Sequence, residues 1–483
     1  MKLFELCSRA RIACPNGRGD TEILGVTCDS RRVESGWMFV CLPGTRRQGS
    51  EFVGQAYQNG AVAVVSQTPL GGGEILCDDA LEAMSRLCRV MYGGDCARLR
   101  LVAVTGTNGK TTVVNLLRSI CESAGKKCGT IGTLGIYSGA RRLSLSPQDA
   151  NANMTTPDPE ELYRALSQMA SDGCEFVFIE ASSHALARKK LDGLSFELGV
   201  FTNLSRDHLD YHGDLSAYAA AKARLFGLCQ SFVANADDPS VALVAPVAIG
   251  CSVKGRSDVY ADNVRLDGRF GCAYRFNSSD ESFLIRSAMS GEFTVINTLL
   301  AAAAAQALGF SRQDICSGIA AMRSLSGRME AVSLSVNADI SVYIDYAHTP
   351  DALEGLLESA RRIAPLGRIV LLFGCGGDRD RGKRAEMGAI ASRLADKIII
   401  SSDNSRSEDP NEIIREILSG IGQDKDCTVI VDRGDAIDHT IKNSRPGDVI
   451  ILAGKGHEKY EIDKNGRHEF DEAARVRKAW LER

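Results

Sequence analysis

A short strand, loop and helix signature constrains this chain more than any other stretch of it. Residues 101–117 read LVAVTGTNGKTTVVNLL, in which an apolar run leads into the octapeptide TGTNGKTT at 105–112 and an apolar-rich segment follows. Gly106 and Gly109 permit backbone conformations that other residues resist, so N–H groups can approach an anion closely. A helix that begins near Lys110 points its positive N-terminus at the same place. The pattern predicts a β-strand, a phosphate-binding loop and an α-helix.

The spacing of this loop departs from the standard pattern G-x-x-x-x-G-K-[ST]. That pattern requires glycine at position 104, where the chain has Val104, and the first glycine comes two residues later. Lys110 supplies a mobile positive charge, and Thr111 or Thr112 offers a hydroxyl to Mg²⁺. The alternative, a glycine-containing turn with an incidental lysine, is disfavoured because strand, glycines, lysine, hydroxyls and helix all agree.

Length and composition limit the classes of protein. A chain of 483 residues is too long for one core, so roughly two to four domains are expected. The net charge of −4 argues against a basic nucleic-acid-binding surface. No apolar run reaches the roughly 18 residues of a membrane helix, and the N-terminal stretch lacks the apolar region of a signal peptide. Sixteen cysteines without a C-x-x-C pair favour reduced thiols in a cytoplasmic protein over a structural zinc site.

Strand and helix patterns alternate along the whole chain, which predicts an α/β fold of three domains in series with boundaries at 1–98, 99–328 and 329–483. The first contains WMFVCLP and GAVAVVSQ as strand candidates. The second contains LRLVAVT, CEFVFIEAS and LGVFTNLS, with helical patterns between them, and is expected to form a parallel sheet. The third has SVYIDYA, RIVLLFGCGG, KIIISSDN, CTVIVD and DVIILAGKG, whose short apolar runs suit a sheet covered on both faces.

Three polar residues of the central region are candidates for metal chemistry. Glu180 ends a predicted strand opposite the phosphate loop, where a carboxylate suits Mg²⁺, although a solvated loop acid is equally consistent with the residues alone. His208 lies in the acidic, asparagine-bearing loop TNLSRDHLDYHGD, although a lone histidine is usually structural. Lys222 lies on the small, apolar face of the helix AYAAAKARLF, where an exposed lysine is the default interpretation.

The variant loop TGTNGKTT resembles that of the Mur ligases and of their relatives the folylpolyglutamate synthetases, which join an amine to a carboxylate with ATP. The resemblance extends over the whole chain and implies a P-loop ATPase-like central domain and a Rossmann-like C-terminal domain. It implies that Glu180 and His208 hold Mg²⁺ and that Lys222 is a carbamylated lysine that contributes to the metal site. It also implies that the nucleotide lies against Asn297, Arg328, Asp345 and His348.

Further motifs resemble the family's substrate sites. VTCDSRRVESGWMFVCLPG is similar to the motif that holds uridine diphosphate, with Ser30 and Arg31 as contacts. NANMTTPDP is similar to the loop that faces the muramoyl peptide in the third enzyme of the series, and Ser183 matches the same site. Where the family usually has Gln-x-Arg, this chain has Arg188-Lys189-Lys190, so positive charge persists at Lys190.

The third domain resembles the family's amine pocket. The family has Asp-Asn-Pro-Arg where this chain has Asp403-Asn404-Ser405-Arg406, so the proline is replaced and the arginine kept. A planar guanidinium binds a carboxylate in bidentate fashion, so Arg406 with Arg379 would clamp the distal carboxylate of meso-diaminopimelate. Asp403 and Glu458, in loops that also carry Asn404 and Gly454, would suit its ammonium. Lysine lacks that second carboxylate, so diaminopimelate is favoured as the amine.

The resemblance therefore implies an ATP- and Mg²⁺-dependent ligase that adds meso-2,6-diaminopimelate to UDP-N-acetylmuramoyl-L-alanyl-D-glutamate through an acyl phosphate. A lysine-adding ligase, a folylpolyglutamate synthetase and a P-loop motor or switch ATPase are the alternatives. The expected protein is a cytoplasmic monomer with small-molecule partners. The expected catalytic and metal-binding residues are Lys110, Thr111, Glu180, His208 and Lys222. The expected nucleotide-binding residues are Thr105, Gly106, Thr107, Asn108, Gly109, Lys110, Thr111, Thr112, Asn297, Arg328, Asp345 and His348. The expected substrate-binding residues are Ser30, Arg31, Thr155, Thr156, Ser183, Lys190, Arg379, Asp403, Asn404, Arg406, Gly454 and Glu458.

Overall fold

The structure is a computed structural model that describes residues 1–44, 47–143, 154–245, 248–266, 271–289, 292–322, 325, 327–335 and 337–483. Residues 151–153, at the start of the motif NANMTTPDP, lie outside the described residues. The described chain forms one sheet in its first part, one in its centre and one in its last part, with a separate two-stranded hairpin. No helix in the described ranges is both long and apolar enough to cross a membrane.

The first unit is a small sheet with helices packed beside it. Its strands are β1 (Gly25–Thr27), β2 (Trp37–Val40), β3 (Ala61–Ser66) and β4 (Ile75–Leu76). Its helices are α1 (Leu3–Ala10), α2 (Val53–Gln58) and α3 (Ala80–Tyr92). The sheet order is β1-β2-β3-β4 and every pair is parallel. The two strand candidates predicted here, WMFVCLP and GAVAVVSQ, are confirmed as β2 and β3.

The central unit is an eleven-stranded sheet. Its strands are β5 (Arg100–Thr105), β6 (Cys128–Gly132), β7 (Gly135–Ser138), β8 (Arg141–Arg142), β9 (Phe176–Glu180), β10 (Phe196–Phe201), β11 (Cys229–Asn235), β12 (Ile249–Ser252), β13 (Val259–Leu266), β14 (Cys272–Asn277) and β15 (Ser282–Ser287). Its helices are α4 (Lys110–Ser123), α5 (Pro159–Ser171), α6 (Ser183–Ala187), α7 (Leu209–His212), α8 (Leu215–Ala223), α9 (Val241–Val244), α10 (Glu292–Ala307) and α11 (Arg312–Ala321).

The inner strands of this sheet are parallel and its two edges are antiparallel. The order is β15-β14-β13-β12-β11-β10-β5-β9-β6-β7-β8. The strands from β13 to β6 run parallel, whereas β14 and β15 at one edge and β7 and β8 at the other are joined by antiparallel pairs. The predicted parallel sheet is therefore confirmed for the part that carries the phosphate loop, and the antiparallel edges are an addition to it.

The third unit is a six-stranded sheet covered on both faces. Its strands are β16 (Glu330–Ala331), β17 (Ser341–Asp345), β18 (Ile369–Phe373), β19 (Lys397–Ile400), β20 (Cys427–Val429) and β21 (Val449–Ala453), and β22 (Tyr460–Asp463) and β23 (Gly466–Glu469) form the hairpin. Its helices are α12 (Pro350–Ile363), α13 (Gly382–Leu394), α14 (Pro410–Leu418), α15 (Arg433–Lys442) and α16 (Glu472–Leu481). The order is β16-β17-β21-β18-β19-β20, and only β16 is antiparallel to its neighbour. The five strands predicted for this unit are confirmed as β17 to β21.

Separate apolar cores lie on the two faces of each large sheet. One face of the central sheet shares a core with the first unit, since Leu6 and Leu87 belong to the same buried cluster as Leu101 and Ile179. The Ala-rich helix α10 packs on the other face. In the third unit, buried residues of β18 and β21 point alternately into two clusters. Because the strands are buried on both faces, their carboxyl ends are the places where polar side chains can gather.

Candidate active site

The phosphate loop connects β5 to α4 in a shape that only glycine accommodates. Gly106 has φ +150° and Gly109, the residue before α4, has φ +87°. A Cβ at Gly106 would lie 1.8 Å from Thr202 Oγ1, and one at Gly109 would lie 2.5 Å from Asn297 Oδ1. The glycines therefore allow β10 and α10 to approach the loop, and they place Asn297 beside it as predicted.

Hydrogen bonds from the end of β10 hold the loop open toward its anion site. The N–H groups of Thr107 and Asn108 donate to Asn203, at its carbonyl oxygen over 2.8 Å and its Oδ1 over 2.9 Å. Lys110 Nζ donates to the carbonyl oxygens of Gly106 and Thr107 over 2.9 and 2.8 Å. Burial lowers the pKa of Lys110. This ammonium is thus held over the loop, on a flexible stem that can reach a phosphate oxygen.

Glu180 is the last residue of β9, and its buried carboxylate faces the phosphate loop. Its Oε2 accepts hydrogen bonds from Thr111 Oγ1 over 2.9 Å and from Thr133 Oγ1 over 3.0 Å, and its Oε1 accepts one from the N–H of Thr133 over 2.9 Å. A carboxylate and a hydroxyl at this distance provide the oxygen ligands that Mg²⁺ prefers. Thr133 was not predicted, because a single threonine after a strand carries no signal in the sequence.

His208 stands at the start of α7 with φ +54°. Its ring centroid lies 4.7 Å from that of His184, and its Nε2 lies 3.3 Å from Asp207 Oδ2. Burial lowers the pKa of His208 to about 3, so the imidazole is neutral at pH 7 and keeps a nitrogen lone pair for a cation. The charge state therefore fits the predicted metal-binding role of His208.

Lys222, on α8, is fully buried rather than exposed. Its Nζ donates to the carbonyl oxygen of Gly106 over 2.8 Å and lies 4.3 Å from the ring centroid of Tyr218. Burial, with the nearby charge of Lys110, lowers the pKa of Lys222 far below its ordinary value. A neutral amine is the form that can accept CO₂, whereas an ammonium is a poor neighbour for Mg²⁺. Carbamylation of Lys222 stays a prediction.

The donor set fits Mg²⁺ only in part. Thr111, Glu180 and neutral His208 have suitable chemistry, and Lys222 would join them only as a carbamate. Within the described ranges, no group of three or more His, Cys, Asp or Glu side chains is arranged to hold a metal ion.

A cavity of about 410 Å³ extends from the phosphate loop to the third unit. Asn108, Gly109 and Asn297 line its polar end, and Arg328 and Asp345 also line it. Apolar walls come from both units, namely Met289, Phe293, Tyr343 and Leu356. A pocket with a phosphate loop at one end and apolar walls beyond it has the composition that a nucleotide requires.

The predicted nucleotide contacts from the third unit meet at this cavity or beside it. Asp345, the last residue of β17, accepts hydrogen bonds from the N–H groups of Met329 and Ala347 over 2.7 and 2.8 Å. The guanidinium of Arg328 lies 5.0 Å from the ring centroid of Tyr346. The side chain of His348 points away from Asp345, and its Nε2 lies 3.7 Å from Asp207 in the central unit.

The predicted muramoyl-peptide residues surround the end of β9. Thr156 Oγ1 donates to the carbonyl oxygen of Glu180 over 2.6 Å. Thr155 Oγ1 lies 3.2 Å from the hydroxyl of Thr133, which itself contacts the carboxylate of Glu180. The structure therefore brings this loop, as predicted, to the edge of the phosphate site.

Two other predicted substrate residues have partners nearby. Ser183 Oγ lies 3.1 Å from His212 Nε2, and Lys190 Nζ forms an ion pair with Asp158 Oδ1 over 2.8 Å. Lys190 is buried, so it is a fixed positive charge rather than a mobile one. The rings of His184, His208 and His212 pack together beside Ser183.

Ser30 and Arg31 form a separate group in the first unit. Ser30 Oγ donates to Gln55 Oε1 over 2.7 Å, and Asn59 donates to the carbonyl oxygen of Ser30. Arg31 pairs with Asp29 through two hydrogen bonds of 2.9 and 2.6 Å. The structure does not bring these two residues to the phosphate loop, which agrees with a remote site for a long substrate.

The predicted amine pocket is organised around a buried lysine that the sequence analysis did not select as a site residue. Lys455 is fully buried, and its Nζ lies 3.4 Å from Asp403 Oδ1. The same Nζ donates to Asn404 Oδ1 over 3.1 Å and to the carbonyl oxygen of Tyr460 over 3.0 Å. Asn404 Oδ1 also accepts from the N–H of Ile462 over 2.9 Å. These bonds neutralise Asp403 and fix the orientation of the Asn404 amide.

The amide nitrogen of Asn404 consequently points at Glu458 and donates to its Oε2 over 2.8 Å. Burial and the nearby charge of Asp403 raise the pKa of Glu458. Gly454 lies against the other acid, since a Cβ there would be 2.7 Å from Asp403 Oδ2. Glu458 is therefore the acid of this group that no described lysine or arginine holds in an ion pair.

The two predicted carboxylate-binding arginines lie on the same side of this pocket. Arg406 has φ +53°, and its Nη1 donates to the carbonyl oxygens of Gly377 and Asn404 over 2.7 and 3.3 Å. Burial and the neighbouring charge of Arg379 lower the pKa of Arg406. The charge of Arg379 also lowers the pKa of His184, after burial, so Arg379 lies between the amine pocket and the central site.

Comparison with known proteins agrees with this arrangement. The profiles described as Mur ligase family, catalytic domain, Mur ligase middle domain, and Mur ligase, glutamate ligase domain match residues 22–76, 104–305 and 327–456. A curated protein from Geobacillus kaustophilus, named UDP-N-acetylmuramoyl-L-alanyl-D-glutamate–2,6-diaminopimelate ligase, is 39% identical over the whole of both chains. A protein of the same name from Syntrophomonas wolfei is 38% identical over 98% of this chain and 97% of its own. The chain belongs to the Mur ligase family.

A solved structure agrees with the sequence comparison. It is titled as a UDP-N-acetylmuramoyl-L-alanyl-D-glutamate–2,6-diaminopimelate ligase, and it superposes with a TM-score of 0.68 at 33% identity, covering 100% of this chain and 99% of its own. The predicted membership of the Mur ligases and the predicted α/β architecture are therefore confirmed. A P-loop motor or switch is excluded as the class of this chain.

Several residues of this Mur ligase site were missed from the sequence. Asp207, His184 and Lys383 each contact or influence predicted site residues, as Thr133 and Lys455 do. Asp207 and His184 lie within motifs that were quoted, so their positions next to His208 and Ser183 were the available signal. Lys383 and Lys455 are buried lysines in the glycine-rich loops of the third unit, and their burial could be seen only in the fold.

Proposed function

We propose that this Mur ligase joins meso-2,6-diaminopimelate to UDP-N-acetylmuramoyl-L-alanyl-D-glutamate at the expense of ATP, in peptidoglycan precursor synthesis. The names of its full-length relatives support this substrate pair. The observation that carries the proposal is the pocket at the carboxyl ends of the third sheet. It presents two guanidinium groups, Arg379 and Arg406, and one carboxylate, Glu458, without a lysine or arginine partner. That set matches a ligand with a carboxylate and an ammonium at its far end.

The division of labour follows the three predicted domains. Residues 1–98 would bind the uridine diphosphate through Ser30 and Arg31, and residues 99–328 would bind ATP. Residues 329–483 would bind the amine. Thr155, Thr156, Ser183 and Lys190 would hold the muramoyl peptide between them, because they lie at the edge of the phosphate site next to Glu180.

The reaction begins with transfer of the γ-phosphoryl group of ATP to the side-chain carboxylate of the glutamate. The P–O bond to ADP breaks and a bond from phosphorus to a carboxylate oxygen forms, which gives an acyl phosphate and ADP. Lys110 and the N–H groups at the start of α4 stabilise the charge on the moving phosphoryl group. Bound Mg²⁺, held by Thr111, Glu180, His208 and carbamylated Lys222, would supply further charge neutralisation on the phosphate oxygens.

The amino group of diaminopimelate then attacks the acyl carbon. The tetrahedral intermediate collapses with loss of phosphate and a proton and leaves an amide. Side chains mainly position and neutralise in both steps, because little covalent chemistry falls to the protein. The distal carboxylate in the grip of Arg406 and Arg379 would aim the amine at the acyl phosphate.

A lysine-adding ligase is the second candidate, since lysine also carries an amine that Glu458 could hold. It would leave Arg406 without an anionic partner in a site that is largely buried, which costs binding free energy. A folylpolyglutamate synthetase would have no use for the group around Ser30. We therefore keep diaminopimelate as the amine.

We also propose a monomer that acts in the cytoplasm. All sixteen cysteines lie in the described part of the chain and are free thiols, a state typical of a reducing compartment. All three predicted substrate sites belong to one chain, so a single copy would suffice for the reaction.

The test of the ligase reaction is phosphate release from ATP with the substrates added in turn. We expect release only when both the uridine muramoyl dipeptide and meso-diaminopimelate are present, because phosphoryl transfer needs the carboxylate and turnover needs the amine. The variant Lys110→Met should abolish release, while Lys397→Met, in β19 of the third sheet, serves as the matched lysine control. Equal release without either substrate would contradict the proposal.

A further inference from the structure

Two consecutive residues of the central unit cross to the third unit. Arg206 Nε lies 3.0 Å from Asp380 Oδ2. Asp207 lies 3.7 Å from His348 Nε2 through its Oδ2, and 4.0 Å from Lys383 Nζ through its Oδ1. These contacts join residues that are more than 130 positions apart in the chain, so they exist only when the two units are packed together.

The two crossings differ in burial. The side chain of Arg206 is 47% exposed, whereas those of Asp207 and Lys383 are 7% and 5% exposed. An exposed ion pair contributes little, while a buried carboxylate requires a partner. His208 is the nearest ring to Asp207 but is neutral at pH 7, so the ammonium of Lys383 is the cation within 4.0 Å that the third unit supplies.

The segment that carries these residues also holds the phosphate loop. Residues 202–208, which we call the connecting segment, follow β10 directly. Asn203 accepts from the N–H groups of Thr107 and Asn108, and the N–H of Ser205 donates to Thr107 Oγ1 over 3.0 Å. The connecting segment is therefore hydrogen-bonded to the phosphate loop at one end and contacts the third unit at the other.

The start of α13 is fitted closely to this segment. A Cβ at Gly382, the first residue of α13, would lie 2.1 Å from Arg206 Nη2. Lys383 follows in the first turn of the helix, and Arg379 precedes it in the same glycine-rich loop. A displacement of α13 from the connecting segment would thus move Arg379, a predicted contact of the amine, together with Lys383.

We propose that Asp207 and Lys383 are positioning residues, and that their cross-domain contact, which we call the clasp, holds the amine pocket against the phosphate loop during the reaction. The clasp acts through Arg379 and the phosphate loop and need not touch a substrate. Its expected effect on turnover rests on the proposed ligase function, whereas its effect on domain closure does not.

The kinetic test compares Asp207→Asn, Lys383→Met and the double variant, each of which keeps the size of the side chain. We expect kcat to fall by about 100-fold in each single variant, the scale for a misplacement of about 1 Å, while the Kd for ATP changes by less than about threefold. The double variant should be no slower than the slower single variant, because both changes remove one contact. Multiplied losses in the double variant, or an unchanged kcat in both single variants, would overturn the clasp.

The matched control is Arg381→Gln. Arg381 immediately precedes α13 and pairs with Glu416 inside the third unit, so its loss leaves the cross-domain contacts in place. We expect its kcat to equal that of the wild type. A loss as large as that of Lys383→Met would attribute the effect to the helix start in general and overturn the proposal.

Domain closure is measured separately, by solution scattering with saturating Mg²⁺ and the ATP analogue AMP-PNP and without any amine. We expect a larger radius of gyration for Asp207→Asn and Lys383→Met than for the wild type and Arg381→Gln. Equal radii for all four proteins would overturn the clasp. If the wild type released no phosphate with either amine, the proposed function would fail, and this scattering comparison would still decide the clasp.

Discussion

Charge compensation within the amine pocket separates two acids that look alike in the sequence. Asp403 is neutralised by Lys455 at 3.4 Å, while Glu458 receives only hydrogen bonds from uncharged donors among its printed neighbours, such as Asn404. The prediction that both acids face the ammonium of the substrate is therefore narrowed to Glu458. Asp403 serves to hold Lys455, which in turn orients the amide that positions Glu458.

The histidine next to Glu458 makes stability depend on pH. Burial lowers the pKa of His457 to about 4, and its ring lies 5.3 Å from that of Tyr346. An unfolded histidine titrates near 6.5, so between about pH 6.5 and 4 the unfolded chain binds more protons than the folded one. The contribution of His457 to stability is thus present at neutral pH and is lost as the pH falls through this window.

We predict that His457→Gln flattens the pH dependence of the free energy of unfolding. Between pH 7 and pH 5 the wild type should lose about 1–2 kcal/mol more than the variant, as measured by urea denaturation. His439→Gln, on α15, should keep the slope of the wild type. An identical slope in His457→Gln and the wild type would contradict the account of His457.

At the scale of single elements, the phosphate loop and α4 allow a test of backbone geometry. Gly109 before α4 and Gly125 just after it both have positive φ, +87° and +69°. A Cβ at Gly109 would meet Asn297 at 2.5 Å, whereas one at Gly125 would meet nothing within 4 Å. The two glycines therefore share backbone strain on substitution but differ in steric contact.

We predict that Gly109→Ala weakens ATP binding by about tenfold or more, since a displacement that costs 1.4 kcal/mol is tenfold in affinity. Gly125→Ala should lose stability of the order of 1–2 kcal/mol from strain and keep the affinity of the wild type. Calorimetric titration with ATP checks both. Equal affinities in the two variants would show that the close approach of Asn297 to the loop is unimportant.

Elements were predictable wherever the signal was local. The strands and helix of the phosphate loop, the Ala-rich α10 and the five strands of the third sheet follow from apolar runs and their turn residues. The antiparallel edges of the central sheet did not, because β7, β8, β14 and β15 pair through register and hairpin geometry rather than through composition. Short strands such as β8 carry no periodic pattern to find.

At the scale of the whole molecule, the sequence placed site residues in order along the chain but not in space. The phosphate loop, Glu180, Asn297 and Asp345 meet around one cavity or its rim, as expected from strand ends that share an edge. The contact of Asp207 with Lys383 was not foreseen, because neither residue has a local signature and they are brought together only by the packing of two units. The burial of Lys222 was likewise a property of the fold.

The most direct measurement of the central claim is phosphate release with the uridine muramoyl dipeptide and either meso-diaminopimelate or L-lysine. The account predicts a kcat/KM at least about tenfold higher for diaminopimelate, because two charge-assisted hydrogen bonds from Arg406 and Arg379 are lost with lysine. In Arg406→Met this preference should shrink, mainly through lower kcat/KM for diaminopimelate. Equal efficiency with the two amines in the wild type would contradict the carboxylate clamp and the choice of diaminopimelate.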